Sequence, residues 1–81
     1  MRARVFVSFK ASVLDPQGQT ICNALHGLGY SAIADVRQGK FFDISLAAGT
    51  SLEQARKELE VIANEVLANP VIEEYQVEIL D

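Results

Sequence analysis

Val5, Val7 and Phe9 alternate with Arg4, Phe6, Ser8 and Lys10, and a period of two places the two sets on opposite faces of a strand. The first set is expected to face a core. The pattern changes after Val13 and Leu14. Asp15 has the short acceptor side chain of a helix N-cap, and Pro16 fits the first helical position, where its missing N–H costs nothing. Ile21, Ala24, Leu25 and Leu28 then recur at helical spacing, and Gly29 suits the left-handed residue that closes a helix. From Ser31 to Leu46 the period of two returns, with Ala32, Ala34 and Val36 in one run and Phe42, Ile44 and Leu46 in a second. Gln38 and Gly39 between the runs fit a two-residue turn of the primed type, which needs positive φ, so the spacing predicts a β-hairpin here.

A second helix is expected to open on a capping box, either Thr50 with Glu53 or Ser51 with Gln54. Leu52, Ala55, Leu59, Ile62, Ala63 and Val66 are expected to form its buried stripe, while Glu53/Lys57 and Arg56/Glu60 are spaced for ion pairs outside it. Asn69 and Pro70 end it. The last run sets Tyr75, Val77 and Ile79 against Gln76, Glu78 and Leu80. Right-handed crossovers in the order βαββαβ put both helices on one face of one sheet. The expectation is therefore an α+β, ferredoxin-like sandwich: a four-stranded antiparallel sheet with two helices on one face, as a single domain over residues 1–81. Its other face would receive Phe6, Ile33 and Phe41, large apolar side chains that argue for a self-association surface. Arg37 and Lys40, two cations at the hairpin, are the candidates for contact with a phosphate or a partner's carboxylates.

With 49% hydrophobic and 22% charged residues the chain has the composition of a folded domain. A chain of 81 residues buries only about 60% of its unfolded surface, however, so association is the expected supplement to stability. Cys22 is the single cysteine, which excludes an internal disulfide and points to a reducing, cytoplasmic setting. The N-terminus lacks the continuous apolar stretch of a signal peptide, and no run approaches the roughly 20 apolar residues of a membrane span. A net charge of −4 with seven Lys and Arg counts against a nucleic-acid footprint.

The candidates for chemistry are few. Cys22 and His26, four apart on a helix, make at most half of a metal site and are read as structural. Glu73, Glu74 and Glu78 form a solvated acidic rim, and five scattered glycines form neither a dinucleotide fingerprint nor a phosphate loop. No catalytic, cofactor-binding or metal-binding residue is expected.

Four segments in order carry a resemblance: Val13 to Gly18 entering the first helix, Leu28 to Tyr30 leaving it, Val36 to Lys40, and Leu67 to Glu73 followed by Tyr75. Together they resemble the PurS family, the small subunits of bacterial and archaeal phosphoribosylformylglycinamidine synthase. The resemblance implies a place in purine synthesis, where formylglycinamide ribonucleotide becomes the amidine with ATP and ammonia released from glutamine. It implies a large synthetase subunit that binds ATP and magnesium, and a glutaminase subunit with its own nucleophile. This chain would bind no cofactor, be inactive alone, and bridge the two as a homo-oligomer, dimer or tetramer. Phe41 and Phe42 in tandem depart from the family's habit. The runner-up is a ligand-sensing module of the same topology, binding an amino acid at a dimer interface through Asp15, Gln17 and Gly18.

Overall fold

The strand expected at the N-terminus forms as β1, Arg2–Phe9, and takes the centre of the sheet. The structure, a computed structural model, describes residues 1–80. β1 is paired antiparallel on one side by β2, Gly39–Ser45, and on the other by β3, Glu73–Ile79. The register sets Val5 between Phe42 and Val77 on one face and Phe6 between Phe41 and Gln76 on the other. That alternation decides which residues become core and which remain a surface.

The Val5 face is covered by α2, Leu52–Ile62, which runs on into a π-helical turn, Ala63–Leu67. Of the two capping frames the Ser51 frame operates: its hydroxyl accepts from the Gln54 N–H at 3.1 Å, while Thr50 Oγ1 donates to the Ala47 carbonyl at 2.7 Å. The Gln54 amide turns forward to Glu58, so the box is not reciprocal. The wide turn closes when the Ala68 N–H reaches the Ala63 carbonyl at 2.9 Å, and both alanines lie buried beside Val5 and Val7. Ala55 and Leu59 pack on Ala3, with Ile44 and Val77 at the margin. The Glu60 carboxylate of α2 holds the phenol of Tyr75 on β3 above the usual pKa. The spaced charges on α2 do not close into ion pairs; the one pair among the described residues is Arg4 with Asp43.

The expected four-stranded sheet is not what forms. The sheet has three strands, and Ile33 to Gln38 lie outside it, in neither a helix nor a strand. The hairpin fails at its turn. Positive φ is found at Gly29 and Gly49 and not at Gly39, so the primed turn that would fold the first run back onto β2 is absent. Gly39 serves a different need: it opens β2 opposite Ser8, where a Cβ would stand 2.9 Å from the Val7 carbonyl oxygen. The second helix of the expected layer is missing as well. α1, Pro16–Gly27, forms with the expected Asp15 cap and Pro16, but contributes no residue to either core cluster and packs on neither the sheet nor α2.

α1 and residues 33–38 instead make an arm that leaves the sheet. The radius of gyration is 16.2 Å, against about 12 Å for a compact chain of this length. Apolar side chains are exposed as a result, Leu28 at the C-cap of α1 at 74% and Val66 in the π-helical turn beyond α2 at 73%.

Candidate association surfaces

On the sheet face away from α2, the rings of Phe6 and Phe41 meet with centroids 6.0 Å apart and planes tilted by 50°. The Arg4 guanidinium lies 4.6 Å above the Phe41 ring while its Nε donates to Asp43 Oδ1 at 2.8 Å. Both bonds hold Arg4 over the apolar pair, and Asp43 raises its pKa. Phe41 is 54% exposed. The result is a two-ring apolar patch flanked by one fixed ion pair, with Glu74, Gln76 and Glu78 in line along β3. Of the three residues expected here, Phe6 and Phe41 come together and Ile33 does not. Ile33 sits on the arm, where its carbonyl meets His26 Nε2 at 2.6 Å. Arg4 and Asp43 were not anticipated, although their facing positions follow from the strand register once β1 and β2 are paired.

The second constellation is the joint between arm and sheet. Asp15 is buried, and its two carboxylate oxygens are divided: Oδ1 accepts from the Gly18 N–H at 2.9 Å and Oδ2 from the Gln38 N–H at 2.6 Å. A residue expected only as a helix cap thus also pins the chain just before β2. The Gln38 amide donates from its side chain to Gln17 at 2.6 Å, and Arg37 Nη2 donates to the Lys10 and Val13 carbonyls at 3.0 and 2.9 Å. Lys40 Nζ lies 5.7 Å from the Phe42 ring centroid. Arg37 and Lys40 therefore flank a joint rather than a turn, and Arg37 spends one of its nitrogens within the chain. A shallow hollow of about 170 Å³ lies beside the joint, with Gln17, Gln38, Lys40 and Glu73 on its walls. The Asp15 carboxylate, Gln17 Oε1 and the Gly18 N–H are already paired within the chain, which takes them from the set that a ligand-sensing module would use to hold an amino acid there.

The Gln38 amide, then the Gly18 amide, hold the Asp15 carboxyl below its ordinary pKa. A depressed pKa in the folded chain means that the stabilisation is complete above the unfolded value of about 3.9 and is lost as pH falls through the lower folded value. The Gln38 and Gly18 amide proton shifts, followed by NMR, are expected to titrate with a midpoint under 3.9. A midpoint at or above that value would show that the carboxylate does not hold the joint.

Cys22 is buried under the arm, its sulfur 3.8 Å from His26 Nε2 and 4.0 Å from the Ala34 carbonyl. Nothing else with a metal-ligating side chain joins them: among the described residues no group of three or more His, Cys, Asp and Glu gathers. No helix there is long and apolar enough to cross a membrane.

A family model described as PurS, phosphoribosylformylglycinamidine (FGAM) synthase, matches residues 2–81. The chain belongs to the PurS family. It is similar to the PurS subunit of FGAM synthase from Mycobacterium leprae, with 45% identity covering 94% of this chain and 91% of that protein. The Bacillus subtilis PurS subunit is 39% identical over 96% of this chain and 90% of its own length. Among solved structures, PurS of Methanocaldococcus jannaschii superposes with a TM-score of 0.83 at 35% identity, covering 95% of this chain and 92% of that one. A chain in a structure of PurLQS from Thermotoga maritima matches with a TM-score of 0.83 at 30% identity, over 95% and 93% of the two chains. This PurS chain is a subunit of FGAM synthase, a ligase complex of purine biosynthesis.

Proposed function

We propose that the chain is the bridging subunit of FGAM synthase, acting in the cytoplasm as a homo-oligomer, dimer or tetramer. It joins the ATP-dependent synthetase subunit to the glutaminase subunit so that ammonia released from glutamine is delivered to the amidination site. ATP and magnesium belong to the large subunit. The observation that carries this reading is the exposed Phe6 and Phe41 pair, framed by the Arg4 and Asp43 ion pair, on a face that no element among the described residues covers. The presence of a similar chain in the PurLQS structure supports it. Phe6 and Phe41 serve self-association, and Ile33 on the arm is a separate contact. Arg37 and Lys40, exposed beside the joint, face carboxylates of the partner subunits.

The test is reconstitution with the large and glutaminase subunits. Phe6→Asp combined with Phe41→Asp is expected to lower glutamine-driven amidine formation by about tenfold or more, since central aromatic anchors dominate interface energies. Amidination driven by free ammonia should persist, because it does not require transfer between subunits. At a dilution where the parent is itself dissociated, the variant should keep the parent's urea midpoint, as both rings lie outside the core. Unchanged glutamine-driven turnover would remove the assignment.

A further inference from the structure

β3 leaves the sheet open on one side. At the two ends of its ladder the Leu80 N–H donates to the Arg2 carbonyl at 2.8 Å and the Lys10 N–H to the Ile72 carbonyl at 2.9 Å. With the register Arg4 to Glu78, Phe6 to Gln76 and Ser8 to Glu74, those bonds assign the even-numbered residues of β3 to the bonded pairs with β1. Tyr75, Val77 and Ile79 therefore turn their backbone N–H and C=O groups outward, along an edge that no strand among the described residues meets. The edge is regular over the 7 residues of β3, about 23 Å, with no proline, lysine or bulge to guard it. Bare edges of this length are places where an extended peptide adds as a strand.

We infer that the β3 edge takes up an extended segment of a partner subunit of the synthase as an added strand, and that this segment alternates basic with apolar residues. The inference rests on the bridging role proposed above and gives it a surface apart from Phe6, Phe41, Arg37 and Lys40. β3 sets both halves of the alternation. On the open face stand Glu74, Gln76 and Glu78, all exposed. Glu78 lies opposite Arg4 in the register, whereas Glu74 lies opposite Ser8 and has no cationic partner among the described residues. A hollow of about 180 Å³ beside it, lined by Phe6, Ser8, Tyr75 and Gln76, has room for the stem of a lysine or arginine whose head meets Glu74. On the other face Tyr75, Val77 and Ile79 are only half-buried, while Ala3, Val5 and Val7 of the central strand are buried. Apolar side chains on an added strand would complete that margin of the core. A second copy of β3 suits the edge poorly: two antiparallel copies bring four glutamates, Glu74 and Glu78 of each, onto one face.

The test is amide exchange of the isotope-labelled chain, alone and reconstituted with the unlabelled synthetase and glutaminase subunits, added singly and together. In the chain alone the Gln76 and Glu78 amides should be protected, and those of Tyr75, Val77 and Ile79 should exchange freely. In the complex these three should slow by at least about tenfold as they enter a ladder; a contact through side chains alone would not move them. Glu74→Lys should weaken assembly by about tenfold or more at low salt and Glu74→Gln by less, with the difference shrinking as salt screens the surface. Protection of the Gln76 amide in both variants shows that the sheet has folded. If the complex forms and the three amides exchange as fast as in the free chain, strand addition is overturned while the bridging role stands. If they are already protected in the chain alone and lose that protection on dilution, the occupant is a second copy and the inference is again overturned. If the parent binds neither subunit, the bridging role fails and this surface with it.

Discussion

Leu59→Ala is expected to lower the stability of the chain by about 2–5 kcal/mol, a large share of the whole. Leu59 is 1% exposed and, with Val5 and Val7, is one of the largest fully buried side chains. It stands on Ala3 of β1 and beside Ala55 of its own helix, with Ile44 of β2 and Val77 of β3 packed against the same cluster. The cluster around this side chain thus ties α2 to all three strands. The helix lies close because the other buried positions along it, Ala55 and Ala63, are small, and close packing leaves little freedom to collapse around a void. Truncating a buried leucine costs about 2–5 kcal/mol, depending on how far the site can relax. A domain of this length has roughly 4–12 kcal/mol in all, and here α1 adds nothing to the core. Urea unfolding followed by far-ultraviolet circular dichroism measures the loss. A midpoint shift corresponding to less than about 1 kcal/mol would mean that the stability lies elsewhere, in the contacts between copies.

The elements of this fold were legible because each depends on local chemistry. Val5 and Val7 alternate with Arg4 and Phe6 because a strand has two faces, Asp15 and Pro16 open a helix, and Gly29 closes it at φ +97°. The resemblance was legible for a related reason, since its four segments are caps, turns and strand entries whose residue types are narrowly constrained. What could not be read was whether two runs separated by Gln38 and Gly39 fold back on one another. The two residues allow a primed turn but do not impose one. The outcome depends on a long-range competition in which the Asp15 carboxylate takes the Gln38 N–H from 23 residues away and Arg37 takes two carbonyls of the preceding loop. Neither bond has a signature in the spacing of apolar residues.

The outer surface follows the same division. Phe6 and Phe41 were placed on one face by alternation alone, and their pairing required only that β1 and β2 be neighbours. Ile33 was placed with them on the assumption of the hairpin, and it left the face when the hairpin did not form. Leu52, Ile62 and Val66 were counted as core because a two-helix layer would cover them; with α1 on the arm they are a flank instead. A period of 3.6 reports that a helix has an apolar side. It carries no information on which chain covers that side.

Gly18→Ala is expected to detach residues 33–38 from α1 without melting the sheet. A Cβ at Gly18 would lie 2.2 Å from the Val36 carbonyl oxygen and 2.9 Å from Asp15 Oδ2. The first of these is backbone, so the overlap cannot be relieved by swinging a side chain. Either α1 tilts or residues 36–38 withdraw, and withdrawal breaks the Asp15 to Gln38 bond that sets the direction of the chain before β2. Overpacking of this kind costs about 1–3 kcal/mol. The cost falls on the joint, because α1 contributes nothing to the core clusters. Amide exchange should therefore show Gln38 and Gly18 losing protection while Val5 and Val7 keep theirs, and assembly with the partner subunits should weaken as the arm loses its fixed course. Gly27→Ala is the matched control: it lies in the same helix with nothing within 4 Å of the added carbon, and alanine there should stabilise α1 by about 0.5–1 kcal/mol. Equal behaviour of the two variants would mean that the close approach of Val36 to the helix has no part in holding the arm.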